Sequence, residues 1–169
     1  MPRPVLKLGA PALRQAAAPV AAVTPEIQAL VDEMLAVMYA ERGVGLAAPQ
    51  IGVSLRIFVV DVSGGRDATA VKVCINPTWG DRDGMQLEEE GCLSVPGFSA
   101  TVARAKRAAV HALDREGRPH TVAGEGLLAR ALQHEMDHLD GQLYVDRLRG
   151  ISRAMILRKV KKLERAGRW

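Results

Sequence analysis

The order of segments predicts an α+β domain with helices packed on largely antiparallel sheet. Three observations carry this. An amphipathic helical pattern occupies residues 24–45, short branched apolar runs separated by turn residues fill 55–124, and two more helical patterns follow. The length of 169 residues favours one domain with a sizeable core of its own, spanning 1–169. Hydrophobic residues at 48% and charged residues at 25% exclude a disordered chain.

The first helix is read from "TPEIQALVDEMLAVMYAERGVG". Thr24 suits the N-cap and Pro25 the first helical position. Ile27, Leu30, Val31, Met34 and Met38 recur at helical spacing on one face, and Gly43 and Gly45 are expected to end the helix. "LRIFVVDV", residues 55–62, reads as a buried strand. "AVKVCINP" reads as another after a Gly-Gly turn, with Pro77 expected to stop it. "RAAVHALD" and "RPHTVAG" flank the turn Asp114-Arg115-Glu116-Gly117 and predict a hairpin. "EGLLARALQHEMDHL" reads as the second helix, stopped by Asp140-Gly141. The third runs from about Ile151 to Arg165, with Ile156, Val160 and Leu163 opposite Arg158, Lys161, Lys162 and Arg165.

The charge is uneven. Residues 147–169 carry nine Lys or Arg against one acid, Glu164, while the rest holds 14 bases and 18 acids. A basic C-terminal helical segment on a mildly acidic body is a partner signal. No run is long enough for a signal peptide or a membrane span, so the expected setting is the cytoplasm, without membrane association. Two cysteines are too few for a disulfide framework. Cys74, inside "VKVCI", reads as a packed hydrophobe.

Function is concentrated in "QHEMDHLDG", residues 133–141. On a helix, Leu127, Ala131, His134 and His138 share one face, so two imidazoles one turn apart can turn a ring nitrogen toward one cation. Glu135 sits beside them and can reach a water on that cation without being a ligand. A third ligand is needed. His111 and His120 on the hairpin are candidates. Cys92 is the better one, because in "EEEGCLSVPG" a merely structural thiol has little to pack against. In the small-residue stretch "GVGLAAPQIG", residues 43–52, the amide of Gln50 needs partners; it is either a solvated glutamine in a helix-to-strand connection or a group at a substrate-binding edge that donates to a reacting oxygen.

"GVGLAAPQIG", "EGCLS" and "QHEMDH", in this order and spacing, together resemble the three signature motifs of bacterial peptide deformylases. The resemblance covers most of the chain. It implies antiparallel sheets packed around a central helix that bears the two histidines, followed by a C-terminal helix. It implies removal of the N-terminal formyl group from nascent polypeptides that begin with formyl-methionine. By the same resemblance Cys92, His134 and His138 are the metal ligands and Glu135 the general acid/base. Gln50 and the backbone N–H of Leu93 bind the developing oxyanion, and Gly45 makes a backbone contact to substrate. Fe²⁺ is the implied metal, with Zn²⁺, Ni²⁺ or Co²⁺ as substitutes, since a thiolate with two imidazoles suits several ions. Val44 and Leu127 are the expected lining of a methionine pocket. A monomer is expected, and the basic helix is a candidate for ribosome contact. Arg130 is expected to lay its stem along the pocket rim with its head in water. Arg104 is expected to pair with Glu90.

Two rivals remain at this point. A metallopeptidase shares H-E-x-x-H but usually takes its third ligand as His or Glu. A structural metal site in a basic RNA-binding module needs a fourth protein ligand.

Overall fold

The structure, a computed structural model, describes residues 2–169. Helix α1 spans Pro25–Ala40, with the Thr24 hydroxyl accepting from the Ile27 N–H and Pro25 in the first turn. Its face of Val31, Met34, Val37 and Met38 is buried. The expected glycine stop is not where the helix ends. Arg42 takes a left-handed conformation (φ 58°) and the Gly43 N–H then closes onto the Met38 carbonyl at 2.9 Å.

Seven strands follow: β1 Gly45–Ala47, β2 Ile57–Val60, β3 Lys72–Asp83, β4 Gln86–Gly91, β5 Ser99–Arg104, β6 Arg107–Leu113 and β7 Pro119–Glu125. Five form a wholly antiparallel sheet in the order β1-β2-β3-β6-β7, and β4 pairs with β5 in a separate ribbon. The β6–β7 hairpin is the predicted one. Asp114 accepts from the Glu116 and Arg118 N–H groups, and Gly117 takes φ 83°.

β3 departs from expectation, because it runs straight through Pro77. The ladder to β6 shifts register between Ile75 and Thr78, so the proline, which has no N–H to give, falls where none is needed. Asn76 adopts φ 52° there, and its amide exchanges two 2.8 Å bonds with the Val20 backbone. Cys74 is fully buried, as predicted.

Helix α2, Leu127–Leu139, is the centre of the molecule: every residue from Ala129 to Leu139 is buried. Ala131, Leu132, Met136 and Leu139 pack on Phe58, Val60, Cys74, Val110 and Val122 of the large sheet. Helix α3, Ile151–Arg165, buries Ile156 and Val160 against Leu8, Leu13 and the Leu143–Val145 turn. Its basic residues stay outside. Among the described residues no helix is long and apolar enough to cross a membrane.

Candidate active site

α2 fixes two of the site's side chains by periodicity alone. The rings of His134 and His138 lie with centroids 4.9 Å apart and their Nε2 atoms 3.2 Å apart. The third arrives with the ribbon. β4 ends at Gly91, paired with Ser99, and the next residue, Cys92, brings its Sγ within 3.3 Å of His138 Nε2. The three donor atoms all lie within 4.8 Å of one another. His111 bonds Thr121 and His120 bonds the Val73 carbonyl, both on the hairpin side, and neither joins the group.

These donors fit a cation. A tetrahedral ion with bonds of about 2.1 Å to nitrogen and about 2.3 Å to sulfur sets its ligand atoms roughly 3.4–3.6 Å apart. The spacings of 3.2 and 3.3 Å are close to those edges. His134 Nδ1 donates to Glu90 Oε2 at 2.6 Å, which leaves the Nε2 lone pair directed at the trio. Burial, then the neighbouring His134, holds His138 well below the ordinary imidazole value, whereas at His134 burial is overcome by the charges of Cys92 and Glu135, which hold that ring well above it; a cation would therefore take the place of the proton on His134 Nε2.

Glu135 is 3% exposed and its Oε1 has no hydrogen-bond partner among the described residues. Burial pushes its carboxyl up to about 7, against the opposing pull of His134. Gly45 lies against it: a Cβ there would sit 2.5 Å from Glu135 Oε2. The Gln50 amide is held at two points, which leaves one N–H of its Nε2 toward Cys92. Its Oε1 accepts from the Ala47 N–H, and its Nε2 donates to Ser94 Oγ and lies 3.7 Å from Cys92 Sγ. Cys92, His134 and Glu135 line a cleft of about 490 Å³ whose walls include Val44, Gly45, Gln50, Leu93 and Leu127, with His138 buried behind them. Val44 and Leu127 are 38% and 52% exposed, at its mouth.

Arg130 overturns its expectation. Its head is not in water: the residue is 4% exposed and its guanidinium donates to Glu90 Oε1, the Val102 carbonyl and Gln86 Oε1. An internal carboxylate and two neutral acceptors offset the cost of burying the charge. The same Glu90 takes Arg104, as expected, through Nε to Oε1 and Nη2 to Oε2. Arg104 extends to Asp137, which holds Arg147 in a two-point bond. Burial acts to raise the Glu90 pKa, but the bonds from His134 and Arg104 hold it well below the usual carboxylate range. The pairing of Asp137 with Arg104 and Arg147 is not legible in the sequence, since it joins groups that only the folded core brings together.

Two helix imidazoles, a thiol delivered by a β-ribbon and a carboxylate whose Oε1 has no partner among the described residues are the groups that a metal-assisted hydrolase uses. Comparison with known proteins narrows the class. The polypeptide deformylase family matches residues 2–154. A peptide deformylase of Acidobacterium capsulatum is 46% identical over the whole of this chain and 99% of its own length, and one from Alkalilimnicola ehrlichii is 51% identical over 94% of this chain and 88% of its own. The crystal structure of a Legionella pneumophila peptide deformylase superposes with a TM-score of 0.91 at 47% identity, covering 98% of this chain and 96% of that one. The chain belongs to the polypeptide deformylase family and is an enzyme.

Proposed function

We propose that the protein hydrolyses the N-terminal formamide of nascent peptides beginning with formyl-methionine and releases formate. The observation that carries this reading is the convergence of Cys92, His134 and His138 beside the unpartnered carboxylate of Glu135. A peptide deformylase of Synechococcus elongatus, whose structure is a complex with actinonin, shares the fold at a TM-score of 0.90 and 38% identity, which supports a ligand-binding enzyme of this family. Residues 1–169 then form one catalytic domain acting as a monomer in the cytoplasm.

Cys92, His134 and His138 would hold one divalent ion, Fe²⁺ in our reading, with Zn²⁺, Ni²⁺ or Co²⁺ as replacements. When bound, such an ion lowers the pKa of water at its open position and polarises a carbonyl. The chain does the rest. β1 is an edge strand whose first residue, Gly45, lines the cleft, so an extended peptide can lie along Gly45 by backbone bonds. Val44 and Leu127 flank the methionine side chain, which suits an unbranched apolar group. Glu135 accepts the proton from the attacking water and later returns it to the departing amine. The Gln50 amide N–H and the Leu93 backbone N–H receive the charge that develops on the formyl oxygen, a contribution of roughly 10²–10³ in rate per donor.

Formate release from formyl-Met-Ala-Ser by anaerobically purified protein tests the reading. Turnover that a chelator stops and Fe²⁺ restores is expected, with no cleavage of unformylated Met-Ala-Ser. Cleavage of the unformylated peptide at its Met-Ala bond would return the metallopeptidase reading. Gly45→Ala supplies a second check. The new methyl would displace the Glu135 carboxylate, and a misplacement of this size costs about 10² in kcat. Metal content should be unchanged; a kcat equal to that of the parent protein would mean that the carboxylate position does not matter.

For the basic face of α3 we propose contact with ribosomal RNA, where nascent chains emerge. Phosphate contacts release counterions, so co-sedimentation with ribosomes should fall steeply between about 50 and 200 mM salt. Salt-independent binding would remove this electrostatic proposal.

A further inference from the structure

α3 does not simply end at Arg165. The Gly167 N–H bonds the Glu164 carbonyl and the Arg168 N–H bonds the Leu163 carbonyl, with Gly167 in the left-handed region at φ 68°. This paired closure turns the chain back on itself, and it aims Trp169 at the body of the protein. The indole N–H donates to the Leu8 carbonyl at 2.8 Å, its ring lies 6.1 Å from that of Phe98, and the Lys7 ammonium stands 5.9 Å above it. The family match stops at residue 154, so this feature lies outside what that match covers.

Leu8 is itself a bridge. Its N–H donates to the Ser94 carbonyl at 2.8 Å, and two residues earlier the Leu6 N–H donates to the Gln50 carbonyl at 2.7 Å. The extended segment 6–8 therefore ties together the two loops that meet across the cleft, one carrying Gln50 and the other Cys92, Leu93 and Ser94. The side chains of Gln50 and Ser94 close the same gap from within. Phe98 extends the contact. It follows Pro96 and Gly97, which line the cleft, and it packs in the cluster that includes Cys92.

We propose that Trp169 is a positioning residue for the reaction. It clamps Leu8 and Phe98, and through them holds the Gln50 loop and the Cys92–Ser94 loop at a fixed separation. It touches no substrate. The proposal rests on the deformylase reading for its catalytic consequence, but the clamp itself can be measured without any turnover.

The test compares Trp169→Ala, Trp169→Phe and Ile27→Ala, the last a destabilising control at the start of α1, outside the cluster that holds Leu6, Leu8, Phe98 and Trp169. Amide hydrogen exchange at Leu6 and Leu8 reads the clamp. In Trp169→Ala it should quicken by about five- to tenfold, what one net hydrogen bond is worth in a local opening equilibrium. In the metal-loaded enzyme kcat should fall by a similar factor, with KM within about twofold, because donors to the developing oxyanion act in the transition state rather than in binding. Trp169→Phe keeps a ring against Phe98 and should recover part of both. Ile27→Ala should change neither, although it lowers the melting temperature. Unaltered exchange in Trp169→Ala overturns the clamp. Faster exchange with an unaltered kcat overturns its positioning role, as does an equal fall of kcat in Ile27→Ala. Absence of deformylation by the parent protein would instead sink the functional reading, with the exchange result standing on its own.

Discussion

Glu135→Gln should lose formate release by about 10³-fold or more in kcat and keep its metal. General acid/base groups contribute roughly 10²–10⁴, and Glu135 is asked to move a proton twice in one cycle. The replacement is nearly isosteric, so the contact with Gly45 and the packing of α2 survive. What changes is chemistry alone, since an amide cannot take up a proton at neutral pH. The three donor atoms belong to Cys92, His134 and His138, and Glu135 is not among them, so elemental analysis should still find one ion per chain. Cys92→Ala should differ in that very measurement, losing ion and activity together. Stability should move the other way. A buried carboxylate with an unpartnered oxygen is costly, and a neutral amide is less so; the melting temperature of Glu135→Gln should equal or exceed that of the parent protein. Ordinary turnover in this variant would end the acid/base role.

Much of this was legible because its causes are local. Thr24 and Pro25 announce α1 through capping chemistry that needs only three neighbouring residues. The β6–β7 hairpin is written in Asp114 and Gly117, and the paired histidines of α2 in an i, i+4 repeat. The misses share the opposite character. Pro77 ends a strand only if the ladder asks for its N–H, and whether it does depends on a register shift against β6, a strand some thirty residues on. Strand β5 was not anticipated, because "SATVAR" alternates only weakly and its partner β4 is largely charged and exposed. Arg130 looks like a surface residue until Gln86, Glu90 and Val102, 28 to 44 positions earlier, are folded around it. Local sequence encodes propensity and spacing, whereas charge compensation is a property of the assembled core.

That compensation makes Glu90 the place where stability and chemistry meet. Glu90→Gln should destabilise the fold by about 3–5 kcal/mol, the usual cost of breaking a buried ion pair, which is a large share of the whole stability of such a domain. Both carboxylate oxygens are doubly engaged. Oε1 accepts from Arg104 Nε and Arg130 Nη1, and Oε2 accepts from Arg104 Nη2 and His134 Nδ1. A carboxylate is acceptor-only and fits four donors. A glutamine is not, and whichever way its amide turns, its NH₂ group confronts two N–H donors in a site almost without water. Arg104 and Arg130 would then stay buried with their counter-charge reduced to Asp137, and the His134 ring would lose the partner that orients it. Metal affinity should fall by about 10–100-fold, the range seen when the support of a ligating histidine is removed. Glu88→Gln, two residues earlier on the same face of β4 but exposed, should stay within about 0.5 kcal/mol of the parent protein. Urea unfolding of the two variants, with a competitive chelator titration of each, separates a network effect from a general effect of removing acids from β4. Equal stability and equal metal affinity in Glu90→Gln and Glu88→Gln would show that the buried pairs contribute nothing to either.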